Sequence, residues 1–89
     1  MLSEQIEIIN KLGLHARAAA KFVSTATRFE SSIRICKDGR EVDGKSIMSV
    51  MMLAASCGST VEIKTDGSDE QDAIDAIKAL IYDRFGEGE

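Results

Sequence analysis

The spacing of apolar residues along this chain switches repeatedly between two periods, and that switching limits the fold more than any other feature. Ile6 and Ile8 stand among Gln5 and Glu7 in the every-second-residue pattern of a half-buried strand. From Ala16 to Thr27 the spacing lengthens, and Ala19, Phe22, Val23, Ala26 and then Phe29 fall on one helical face. Ser32 to Cys36 alternates again. Asp38-Gly39 is a two-residue hairpin turn leading to a short strand around Arg40 to Asp43. Asp43-Gly44-Lys45-Ser46 reads as a turn that ends on a helix N-cap at Ser46, with a short helix from Ile47 to Ala55. Thr60 to Lys64 is a further alternating strand, stopped by Asp66-Gly67. Ser68 and Gln71 form a capping box, and Ala73, Ile74, Ile77, Leu80 and Ile81 make a last helical stripe ending near Gly86. The order is β-α-β-β-α-β-α. Four half-buried strands and three amphipathic helices bury their stripes together as an α+β open-faced sandwich, a four-stranded antiparallel sheet covered on one face by three helices.

The 89 residues contain no proline, no linker and no low-complexity segment, so residues 1–89 are expected to form a single domain. The first residues, Met1-Leu2-Ser3-Glu4-Gln5, lack a basic and then apolar leader, and no apolar run approaches the ~18 residues of a membrane span. A cytoplasmic location without membrane insertion is expected. Cys36 and Cys57 have no CxxC partner and the chain has one histidine, which leaves too few ligands for a zinc site. A reducing cytosol disfavours a disulfide, so both cysteines are expected to be small buried hydrophobes. A net charge of −4 and aromatics at 4% argue against a nucleic-acid binder.

That charge is unevenly placed. Residues 1–61 carry eight Lys/Arg against six Asp/Glu, whereas residues 62–89 carry three against nine. From Ile8 to Phe29 there is no acidic residue, while Lys11, Arg17, Lys21 and Arg28 are basic. The histidine, His15, lies inside this stretch, directly before the first helical turn Ala16-Arg17-Ala18-Ala19. A helix start exposes backbone N–H groups and partial positive charge, which makes it an anion site, and Ala16 contributes such an amide. Arg17 adds a guanidinium suited to phosphate oxygens. An imidazole, with a reference pKa of about 6.5, is largely neutral near pH 7 and can act as a nucleophile. Residue type and spacing leave two roles open for His15: a capping or surface histidine, the commoner case, or a phosphoryl acceptor. With no P-loop, no second histidine and no clustered carboxylates, the chain is not expected to bind ATP or to catalyse alone, and no cofactor or metal is expected.

The string Lys11-Leu12-Gly13-Leu14-His15-Ala16-Arg17-Ala18-Ala19 resembles the phosphorylation-site motif of the HPr family, the phosphocarriers of the bacterial phosphoenolpyruvate-dependent phosphotransferase system. Gly44-Lys45-Ser46-Ile47-Met48-Ser49-Val50 is similar to that family's regulatory-serine motif, and the spacing, length and element order agree over nearly the whole chain. The resemblance implies that Nδ1 of His15 accepts phosphate from phosphorylated Enzyme I and donates it to an Enzyme IIA protein, with Arg17 holding the oxygens. It implies phosphorylation of Ser46 by an HPr kinase/phosphorylase, and a monomer. Where the family commonly has proline, this chain has Ala18, which removes some preorganisation of the first turn but no chemistry.

Ile47 to Leu53 is apolar nearly all round, more than a short helix beside a small sheet can bury. A docking patch of Ile47, Met48, Met51 and Met52 beside His15, rimmed by Arg17, Lys21 and Lys45, is therefore expected. The run Gly13 to Val23 and the tail Phe85-Gly86-Glu87-Gly88-Glu89 look similar to NPr, the nitrogen-branch carriers that feed a regulatory chain rather than sugar transport. A binding module that has kept the fold without transfer is the alternative of a different class.

Overall fold

The computed structural model of the chain describes residues 1–53 and 55–87. Its elements are β1 (Leu2–Glu7), α1 (Ala16–Ala26), β2 (Ser32–Lys37), β3 (Arg40–Asp43), α2 (Ile47–Met52), β4 (Thr60–Asp66) and α3 (Glu70–Tyr82), followed by a short 3-10 turn, Arg84–Gly86. The four strands form one antiparallel sheet in the order β1-β4-β2-β3. This is the α+β architecture the alternating periods predict. The expected second helix shortens to Met52, and its Ala54, like Gly88 and Glu89 of the tail, lies outside the described residues.

Register explains the alternation. Ile6 pairs with Val61, Ile35 with Ile63, and Ile33 with Thr65, so one face of the sheet presents buried side chains. Against it pack Ala18, Ala19, Phe22, Val23 and Ala26 of α1, Val50 of α2, and Ala73, Ile74, Ile77 and Ile81 of α3. The opposite face is polar: Arg34 pairs with Lys64, and Cys36 with Glu62. Asp38 and Gly39 both have positive φ, 52° and 81°, as the tightest hairpin turn requires.

Three local expectations give way to tertiary contacts. The cysteines are not core residues: Cys57 is exposed in the turn before β4, and Cys36 is half-buried on the polar sheet face. There burial, and then a hydrogen bond from its thiol to Glu41 (3.3 Å), raise the Cys36 pKa. The capping box at Ser68 does not form. Asp69 occupies the N-cap of α3 and gives no cap bond, because its carboxylate accepts from the Glu30 amide (2.9 Å), the Ser31 amide (2.9 Å) and the Ser31 hydroxyl. The last helix ends at Tyr82 rather than near Gly86, and a separate 3-10 turn follows in which Phe85 is fully buried, so the chain stays packed past the end of its last amphipathic stripe.

Candidate functional site

His15 is the N-cap of α1. Its backbone is extended (φ −72°, ψ 177°), its carbonyl accepts from the Ala19 amide at 2.8 Å, and its Nδ1 accepts from the Arg17 amide at 3.3 Å. The preceding loop fixes this entry. Gly13 takes φ +66° and donates to the Asn10 carbonyl (3.1 Å), while the Leu14 amide donates to the Ala55 carbonyl (2.8 Å) and Leu14 is buried. Asn10 is fully buried, and its Nδ2 donates to the Gly13 carbonyl at 2.8 Å. The chain is therefore anchored on both sides of His15, and Nδ1 of the ring lies at the point where the first-turn amides of α1 are unpaired within the helix.

An open cleft of about 640 Å³ lies against this helix start, lined by Lys11, Leu12, His15, Ala16, Arg17, Lys21, Gly86 and Glu87. It brings together His15, Ala16, Arg17 and Lys21 from the sequence analysis. Lys21 is half-buried and donates its ammonium to the Phe85 carbonyl. Two further residues join the site that residue type and spacing did not single out. Glu87, from the far end of the chain, is hydrogen-bonded through Oε2 to Nε2 of His15 and accepts through Oε1 from Asn10 Nδ2 at 3.0 Å. Burial pushes the Glu87 carboxyl up, but the Asn10 amide, the His15 ring and the Lys21 charge outweigh it and hold the group below the usual carboxylate range. The available signal was indirect: the stretch around His15 has no acid of its own, and the acidic balance lies in the C-terminal third.

The second motif is elsewhere. Ser46 caps α2 as expected, its Oγ accepting from the Ser49 amide at 3.3 Å. Lys45 does not reach His15: its ammonium sits on the Phe29 carbonyl (2.7 Å), beyond the C-terminal end of α1, whose 11 residues span about 16 Å. The segment that follows α2 approaches the site through Ala55, whose carbonyl accepts from the Leu14 amide. Ile47, Met48, Met51 and Met52 are exposed by 43%, 67%, 36% and 61%, while Val50 is buried. Leu12, in the cleft itself, is exposed to a similar degree. The apolar surface thus exists, but its lysine rim at position 45 belongs to the opposite end of α1.

Chemically, Nδ1 carries a lone pair, since it accepts from the Arg17 amide, and the cleft beside it is lined by Arg17 and Lys21, whose charge suits an anion. Among the described residues no cluster of side chains suits a metal ion, and no helix is long and apolar enough to cross a membrane.

Comparison with known proteins agrees with this geometry. Residues 2–83 match the family model described as the PTS HPr component phosphorylation site. The chain is 61% identical over 89 residues, covering all of both sequences, to the phosphocarrier protein HPr of Cupriavidus necator. A crystal structure of HPr from Thermoanaerobacter tengcongensis superposes with a TM-score of 0.95 at 49% identity, covering 98% of each chain. A second structure from that organism, described as an HPr dimer, gives 0.79 at the same identity, covering 98% of this chain and 100% of the other. With the family model matching residues 2–83 and a 61% identical relative matched over the whole chain, the protein belongs to the HPr family, the phosphocarriers of the phosphotransferase system.

Proposed function

We propose that this chain takes a phosphoryl group onto Nδ1 of His15 from phosphorylated Enzyme I and passes it to a histidine on an Enzyme IIA protein. The observation that carries this reading is the position of Nδ1: 3.3 Å from the Arg17 amide at the start of α1, in a cleft that also holds the Arg17 and Lys21 side chains. An incoming phosphorus would replace the long amide contact, leaving the Arg17 N–H free to serve a phosphoryl oxygen. The cleft is open, which suits a group that must leave again; a cradle that held phosphate more tightly than the transition state would slow its departure.

The exposed residues Ile47, Met48 and Met51 are the proposed contact surface for both partners. Phosphorylation of Ser46 would add about −2 charge to the start of that helix, tolerated by the helix dipole but unfavourable to an acidic or apolar partner face. The carrier acts in the cytoplasm as a monomer and enters no membrane. The HPr relatives support a sugar-branch acceptor; comparing transfer to sugar-type and nitrogen-type Enzyme IIA distinguishes this from the NPr role.

The test is incubation with Enzyme I, magnesium and labelled phosphoenolpyruvate, followed by a chase with Enzyme IIA. The expected result is acid-labile, base-stable label on the native chain, none on His15→Ala, and loss of label during the chase. An unlabelled native chain, beside an authentic HPr that labels in the same tube, overturns the reading in favour of a binding module.

A further inference from the structure

The C-terminal segment makes an expensive approach to His15. Arg84 and Phe85 both have left-handed backbone (φ 53° and 54°), a conformation that costs a side-chain-bearing residue free energy at each position. Phe85 offsets that cost by complete burial in the core, and its carbonyl is held by Lys21. The turn delivers Glu87 to two partners at once, Asn10 and His15, from 77 and 72 residues away. Asn10 cannot present its amide the other way round, because the same Nδ2 must also serve the Gly13 carbonyl at 2.8 Å. Both oxygens of Glu87 therefore act as acceptors in fixed directions.

We infer that Glu87 is a positioning residue for phosphoryl transfer, holding the His15 proton on Nε2 so that Nδ1 is the nucleophile and the ring's positive charge has a partner after attack. An ionised carboxylate can only accept, so the nitrogen bonded to it carries the hydrogen. Nδ1 is then bare and meets a donor, the Arg17 amide. Both neighbours of the ring select the same tautomer. This role rests on the transfer proposed above, with a phosphohistidine as donor. The Nδ1 lone pair forms the new N–P bond as the donor's N–P bond breaks, and the electron pair of the broken bond returns to the donor nitrogen. The acceptor ring, neutral before attack, becomes a phosphoimidazolium that keeps its proton on Nε2 against Glu87. The donor, itself a phosphoimidazolium, departs as neutral imidazole. No proton has to pass between the two proteins, and the same state of His15 is the good leaving group in the next transfer.

Glu87→Gln tests this with little change of shape. Asn10 still demands an acceptor, so the Gln carbonyl must face Asn10 and its NH₂ must face Nε2. That arrangement favours the proton on Nδ1, against the Arg17 amide. The ¹⁵N shifts of the imidazole in the native, unphosphorylated chain at neutral pH should report protonation at Nε2. In Glu87→Gln the Nε2–H form should lose its dominance, and the second-order rate of loading by phosphorylated Enzyme I should fall about tenfold to a hundredfold, the size of one charge-assisted hydrogen bond. Glu87→Ala should lose a similar factor in rate. Urea midpoints for both variants serve as the check that folding is intact. Identical tautomer populations in the native chain and Glu87→Gln would overturn the inference, as would a loading rate equal to or above that of the native chain, which would make the tail a cover over the site. The tautomer measurement uses no phosphoryl donor. A native chain that failed to load while showing the Nε2–H form would therefore count against the transfer function and not against the placement of the proton.

Discussion

Replacing Gly13 by alanine should damage the protein far more than the addition of one methyl group suggests. The residue has φ +66°, and an added Cβ would lie 2.5 Å from the Ala55 carbonyl oxygen and 2.8 Å from the Ser56 Cα. Both are backbone atoms, so no side chain can swing aside. Withdrawing the Ala55 carbonyl breaks its hydrogen bond with the Leu14 amide, the bond that sets the chain's entry to His15. The left-handed conformation costs about 1–2 kcal/mol for an L-residue, and losing a buried backbone hydrogen bond adds about 1–3 kcal/mol. The sum, about 3 kcal/mol, is a large part of the stability of a domain this size and should lower Tm by roughly 10–20 °C. Gly39→Ala is the matched control: φ is +81°, but nothing lies within 4 Å of the added carbon, so only the conformational cost, about 1 kcal/mol, applies. Urea denaturation of both variants gives the two costs directly. Under conditions where Gly13→Ala remains folded, its loading rate should also be reduced, while that of Gly39→Ala should match the native chain. Equal stability losses for the two variants would refute the reasoning, because the close approach at Gly13 would then contribute nothing.

Three further outcomes are expected. The Asp69 carboxyl is held below its ordinary range, first by the Ser31 hydroxyl and then by the Glu30 amide, so the unfolded state binds more protons in acid. This contribution to stability is fully present above about pH 5, is lost as pH falls through and below 4, and should be reduced in Ser31→Ala when urea midpoints are followed from pH 6 to 3. Ser46→Ala removes the cap of α2 and should cost about 1 kcal/mol in chemical denaturation; Ser46→Asp keeps a capping oxygen and should instead slow loading of His15 by Enzyme I. An unchanged loading rate for Ser46→Asp would separate that serine from partner docking. Met48→Ser, at a side chain exposed by 67%, should change stability by less than about 0.5 kcal/mol yet raise the KM for Enzyme I about fivefold, as measured by steady-state loading.

Features fixed by local chemistry were legible from the residues. Period-2 and helical spacing located every strand and helix, Asp38-Gly39 marked the hairpin, and Ser46 proved to be a working cap. Such features depend on neighbours within a few positions. What the pattern missed depends on partners far away. Asp69 is drawn from capping α3 to serving Ser31, 38 residues earlier, and Lys45 is drawn to the Phe29 carbonyl rather than towards His15. Cys36 follows the alternation correctly onto the polar face, where residue type alone would have buried it. Glu87 is the largest omission, since it follows the last periodic stripe and owes its place to the burial of Phe85. His15, Ala16 and Arg17 were visible because all three sit on one helix start. Lys21, one turn further along the same helix, was legible too, whereas the C-terminal wall of the cleft, Gly86 and Glu87, required the fold.

The most direct test of the central claim is NMR of the chain loaded from phosphoenolpyruvate and Enzyme I, reading ³¹P and imidazole ¹⁵N together. The account predicts one phosphoryl group, bonded to Nδ1 of His15, with the proton retained on Nε2. A phosphoryl group found on Nε2 or on a serine, or a histidine left unmodified under conditions that load an authentic HPr, would contradict it.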